Sequence, residues 1–207
     1  MLTKPLAHWR AADKTAQDLD VHLTNVGYLS GVFASKIHLG SAGELIGLLH
    51  DLGKYSQEFQ AYIKSAEGLI NPDEDDYVDA KERKGKVDHS SAGAQYVWHK
   101  LFAGSGIEAL MAQFFALCIA SHHSGLIDCL DANGEDTFAK RMSKAQEKTH
   151  LDEVVGLAES TILARCAVLA ADPALTANFS ALVRRVVQLS GATVPAQQQI
   201  GLVVRFL

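Results

Sequence analysis

"LIGLLHDLGKYSQEF", residues 45–59, decides the fold and poses the chemical question. Leu45, Leu48, Leu49 and Leu52 recur at helical spacing, which predicts a buried helix. Gly53 is its natural stop, because glycine can end a helix where a side chain would be strained. Ser41, three residues before Glu44, has the pattern of a capping box and sets the start. His50 and Asp51 then fall in the last turn of an otherwise apolar helix. A carboxylate buried there needs a partner, and that partner is a hydrogen-bond donor, a cation or a metal ion. A lone His-Asp pair is common by chance, so the rest of the chain must decide.

Outward from this stretch the pattern stays helical. Residues 18–39 carry His22, Val26, Leu29, Phe33 and Ile37 at helical spacing, with Gly40 as a stop, and this predicts that His22 points inward. Ser56 is positioned to cap a helix bearing Phe59, Tyr62, Ile63 and Ala66. Residues 68–88 lose periodicity and run from acidic to basic, the mark of a long charged surface loop. Ala94, Val97, Trp98 and Leu101 begin a further helix, and residues 106–123 form a more apolar one through Ile107, Met111, Phe114 and Cys118. Residues 124–135 are a loop with an Asn-Gly turn, and 136–149 are charged and only weakly amphipathic. Two more helices are expected at about 152–171 and 174–190, separated by Pro173, before the apolar segment "IGLVVRFL" at 200–207. No repeat and no strand ladder is legible. The expected class is all-α, with residues 1–207 forming one compact helical bundle.

Composition narrows the function. With 207 residues the chain can build one sizeable core. Its formal charge of −5 supplies no global basic field, so any nucleic-acid site must be local or metal-assisted. Cys118, Cys129 and Cys166 are odd in number and lack CxxC spacing, which fits a reducing cytosol. No apolar run reaches the ~18 residues of a membrane span, and the N-terminus lacks a signal-peptide core, so the expected location is cytoplasmic, with no membrane partner.

Nine histidines are present. Five of them, with one Asp, lie on apolar stripes or at helix ends: His22, His50 with Asp51, His89, and His122 with His123. His22 alone also fits a satisfied core histidine, and His89 alone fits a residue at a helix start. The adjacent His122 and His123 close an apolar helix and are harder to satisfy without an ion. Imidazoles and a carboxylate together suit one or two divalent transition-metal ions, Mn, Fe, Co, Ni or Zn, and a carboxylate can bridge two of them. Lys54 is either a solvated lysine or a charge aimed at substrate phosphate. Ser90 and Ser124 each follow a candidate ligand and are placed to orient it. Lys81, Arg83, Lys84 and Lys86 in the loop are candidate phosphate contacts, or simply balance residues 73–76. His8, His38, His99 and His150 read as surface residues.

The order His, His-Asp, His, His-His resembles the HD superfamily of metal-dependent phosphohydrolases. More closely, "HLTNVGYLSGVFA", "LIGLLHDLGKYSQEFQAYI", "DHSSAGAQYVW" and "SHHSGL" resemble the nuclease domain of the CRISPR-associated HD nuclease–helicase of type I systems, and "GLINPDEDDYVDAK", residues 68–81, resembles subtype C. The resemblance implies that His22, His50 and Asp51 hold one metal and that Asp51, His89, His122 and His123 hold a second. It implies single-stranded DNA as substrate and a helicase domain and an RNA-guided surveillance complex as partners, and Asp51 and Lys54 are the candidate catalytic groups.

In that family a further Asp ligand lies on a C-terminal helix that begins much like "VVRFL". The sequence stops at Leu207, so the expectation is a fragment short of that helix and of the helicase, with the first metal weakly held. Asp172, in "LAADPAL", is not expected to substitute. Two other functions fit the motif set: an HD hydrolase of nucleotides, and an inactive module that docks on a helicase or surveillance complex.

Overall fold

A computed structural model describes residues 4–10, 12–73, 76–83, 85–102, 104–123, 125 and 127–189. Among the described residues eleven α-helices follow a two-stranded hairpin, so the all-α expectation holds apart from that hairpin. Strands β1 (Leu6–Arg10) and β2 (Thr15–Asp18) pair antiparallel, with an irregularity between Leu6 and His8. Four and five residues with no alternating apolar face give too short a signal to be read from sequence.

Helices α1 (Leu19–Ala34) and α2 (Gly40–Leu49) form the scaffold of the site. The face that α1 buries is Leu19, Leu23 and Gly27, and the stripe of large residues expected to face inward points outward. Leu29 and Ile37 are exposed, and Phe33 is 63 % exposed. The reason is glycine. A Cβ at Gly47 would lie 2.7 Å from the Cα of Gly27, and one at Gly27 would meet Leu48 at 3.0 Å. The two backbones approach through small residues, so the periodicity of large ones marks the wrong face. His22 is nevertheless largely buried, its side chain 13 % exposed.

Other boundaries also shift. Gly40 begins α2 rather than stopping α1, and Ser41 lies inside the helix, its Oγ donating to Asp172 Oδ2 at 3.3 Å. Glu44 forms no capping box; its carboxylate accepts both Nε and Nη2 of Arg165 at 2.7 and 2.8 Å. The helix ends at Leu49 and a 3-10 turn runs from Leu52 to Tyr55, so the predicted stop at Gly53 falls inside that turn. Ser56 does cap α3 (Gln57–Ala66), accepting from Phe59 N at 3.2 Å.

Within the charged loop, Ala80–Arg83 forms one helical turn, α4. Helix α5 (Ser91–Tyr96) runs into a π-helical turn at Val97–Leu101. Helix α6 (Ile107–Ser121) is buried on nearly all sides. The charged 136–149 stretch makes two short helices, α7 (Thr137–Met142) and α8 (Gln146–Thr149). The single helix expected over 152–171 is broken at Ala158 and Glu159 into α9 (Leu151–Leu157) and α10 (Ser160–Ala170), with Ala158 extended and Glu159 at φ −55° and ψ 124°, outside the helical region. Helix α11 (Pro173–Leu189) is anchored by Phe179, whose ring packs within 5.6 and 5.8 Å of those of Phe114 and Phe115. No single described helix is long and apolar enough to cross a membrane. The segment 200–207 lies outside the described residues.

Candidate metal centre

Asp51 is the pivot. It is the residue that turns the chain out of α2, with φ −110° and ψ 19°, and it is 3 % exposed. Its Oδ2 lies 3.1 Å from His22 Nε2 and 3.1 Å from His50 Nε2, and those two nitrogens are 3.2 Å apart. Its Oδ1 makes no hydrogen bond. That oxygen faces His122 Nε2 at 3.3 Å and His89 Nε2 at 3.7 Å. His89 Nε2 in turn is 2.7 Å from His123 Nε2. Ligand atoms ~2.1 Å from one ion and at right angles to each other are roughly 3.0 Å apart, so both sets have the spacing of neighbours around a cation. One oxygen of Asp51 serves each set.

The backbone fixes which ring nitrogens are available. His50 Nδ1 donates to Gly47 O at 2.8 Å and His122 Nδ1 donates to Ile119 O at 2.7 Å, each bonding the carbonyl three residues earlier as its helix ends. His89 Nδ1 lies 3.4 Å from Val87 O. A hydrogen on Nδ1 leaves the Nε2 lone pair free, so the tautomers are set for coordination before any ion arrives. Burial pushes His89 down to about 4, and burial also lowers His8 and His123 below the usual imidazole range. These rings are neutral at pH 7, as ligands must be. Burial alone would raise the Asp51 carboxyl, but His122, His22 and His50 outweigh it and hold the group well below the usual range, so it is ionised. Converging lone pairs with one orphaned carboxylate oxygen are unfavourable without a cation between them. The residues present therefore fit divalent metal ions.

Lys54 is not a surface cation. It is 4 % exposed, its Nζ lies 2.9 Å from Asp51 Oδ2 and 5.4 Å from the Phe59 ring centre, and it donates to Ala7 O at 3.2 Å. That corrects the expectation that it points at substrate phosphate or at solvent. Ser90 is also differently engaged: its Oγ accepts from Arg141 Nη2 at 2.6 Å. The chain beside His89 is held instead by Asp88, which accepts Ser91 N at 3.0 Å and Lys144 Nζ at 2.6 Å. Ser124 and Lys84 lie outside the described residues. Arg83 pairs with Glu58 at 2.8 Å, while Lys81 and Lys86 are exposed. Asp172 contacts Ser41 at the start of α2, roughly 13 Å of helix away from His50 at its end. One residue read as surface belongs to the site: His8, on the hairpin that sequence reasoning missed, has its ring 4.9 Å from that of His22.

Helices that bring His-Asp and His-His pairs onto one shared carboxylate define a divalent-metal domain. The chain matches the model of the family described as "Cas3, HD domain" over residues 28–197, and it belongs to that family. It is thus a metal-dependent nuclease domain of CRISPR defence. Residues 1–27, including His8 and His22, precede the matched range. No curated protein and no solved structure matches the chain.

Proposed function

We propose that this domain hydrolyses phosphodiester bonds of single-stranded DNA. His22, His50 and Asp51 Oδ2 would hold one ion, and Asp51 Oδ1, His89, His122 and His123 the other. The carboxylate shared between two converging histidine sets carries this reading. Such a pair of ions supplies a hydroxide nucleophile near neutral pH and stabilises charge on the phosphoryl oxygens. Mn, Fe, Co, Ni and Zn all suit imidazole-rich ligands.

The chain's own residues do the positioning. The carbonyls of Gly47 and Ile119 lock two imidazoles in the coordinating tautomer. The Lys54 ammonium neutralises and orients the bridging carboxylate, the supporting role that bonds to a ligating carboxylate commonly play. His123 and His8 lie at the exposed rim, which leaves the site open to a polymer. Lys86, three residues before His89, and Lys81 are the loop cations available to phosphates. With a net charge of −5 the domain supplies little DNA affinity of its own, which fits a strand delivered by a helicase recruited to an RNA-guided complex.

The test is product analysis with Mn²⁺, with and without chelator, on labelled circular single-stranded DNA, the matching duplex, and mononucleotides. Chelator-sensitive cutting of the single-stranded circle is expected. Turnover of mononucleotides with the DNA intact, or chelator-resistant cutting, would overturn the proposal.

A further inference from the structure

The hairpin has an unusual setting for a peripheral element. Gln60 clasps Leu6 through both backbone groups, with Leu6 N donating to Gln60 Oε1 at 2.8 Å and Gln60 Nε2 donating to Leu6 O at 2.9 Å. The same Nε2 donates to Lys54 O at 2.7 Å. The next carbonyl, Ala7 O, accepts from the Lys54 ammonium, which itself sits on Asp51 Oδ2. Leu6 and Ala7 are both buried and the next residue, His8, is exposed, with the pairing irregular between Leu6 and His8. β1 is therefore pinned at the two residues before His8, by groups that belong to the floor of the metal centre. What this anchoring delivers is an imidazole. One ring nitrogen of His8 lies within 4.8 Å of a ligand atom of His22 and of one of Asp51.

We propose that His8 is a fourth protein ligand of the metal ion held by His22, His50 and Asp51 Oδ2. The inference rests on the two-metal reading above and extends it to a residue outside the range of the family match. Three of the ligand atoms already form a triangle with sides of 3.1, 3.1 and 3.2 Å, one face of a coordination polyhedron. Opposite ligands about an ion are roughly 4.2 Å apart and adjacent ones roughly 3.0 Å. His8 already lies within 4.8 Å of the ligand atoms of His22 and Asp51, two corners of that triangle. A neutral nitrogen at this position binds the ion without adding to the negative charge of Asp51. Because His8 is exposed at the rim, it is also the ligand most easily displaced by a substrate oxygen.

The test is Co²⁺ binding to the full chain, followed by visible absorption and by titration calorimetry, for wild type, His8→Ala, His8→Cys and the exposed control His38→Ala. The expected result is two Co²⁺ in wild type and in His38→Ala. His8→Ala should weaken one ion by at least about tenfold while the other is unchanged. His8→Cys should bind both ions and show a thiolate-to-cobalt charge-transfer band in the near ultraviolet, which only direct coordination produces. Two ions bound with wild-type affinity in His8→Ala, and no such band in His8→Cys, would overturn the assignment of His8 while leaving the two-metal reading intact. No Co²⁺ bound by wild type would overturn both.

Discussion

Gly53→Ala tests how the two halves of the site are held together. A Cβ at position 53 would lie 2.7 Å from both the Cα and the carbonyl carbon of His89, and closer still to its oxygen. The atoms it meets are backbone, so no flexible side chain can yield. Restoring ordinary contact at roughly 3.5–4.0 Å requires the chain at His89 to retreat by about 1 Å. Metal–ligand distances tolerate only about 0.2 Å, so a shift of that size takes His89 out of reach of an ion held by Asp51, His122 and His123. The overpacking should cost roughly 1–3 kcal/mol of stability. For a domain of this size each kcal/mol lowers Tm by about 2–4 °C. Affinity at the His89 site should fall roughly 10–100-fold, while the His22–His50 site keeps its ion. Mn²⁺ titration calorimetry with differential scanning calorimetry reads both effects. Gly156→Ala is the control: nothing lies within 4 Å of its Cβ in α9, and helix propensity predicts a gain of about 0.5–1 kcal/mol. A Gly53→Ala protein with wild-type Tm and two tightly bound ions would refute the reasoning.

Phe179→Ala should destabilise the domain by about 3–5 kcal/mol in urea unfolding, because the ring is fully buried against Phe114 and Phe115 and anchors α11. Burial pushes the Tyr55 phenol from 10.0 up to about 12. Between those values the unfolded chain has lost the proton and the folded one keeps it, so this stability is complete below pH 10 and falls by about 3 kcal/mol as pH rises to 12. Unfolding of wild type and Tyr55→Phe compared at pH 8 and above should show wild type losing stability relative to the variant only above pH 10.

The parts legible in sequence were those written in residue type. The His-Asp and His-His pairs, His22 and His89 could be picked out as a set, since each alone has an ordinary explanation but all of them together do not, and the structure gathers His22, His50, His89 and His122 around Asp51 with His123 against His89. The Ser56 cap was legible because its hydrogen bond is local. What failed depended on contacts distant in sequence. The buried face of α1 was misassigned because its neighbour is met by Gly27, which carries no hydrophobic signal. Lys54 reads as a solvated lysine or a charge aimed at substrate phosphate because one of the two groups that hold it, the Ala7 carbonyl, lies 47 residues away on β1. His8 was missed with its hairpin, since a five-residue strand without alternation gives no cue that it belongs near His22.

The central claim is that one carboxylate, Asp51, serves two metal ions. Its most direct test is the number of Mn²⁺ ions bound per chain by wild type and by Asp51→Ala, counted by equilibrium dialysis. Two ions in wild type and a joint loss of affinity for both in the variant are predicted, because each oxygen belongs to a different site. An Asp51→Ala protein that still binds two ions as tightly as wild type would contradict the account.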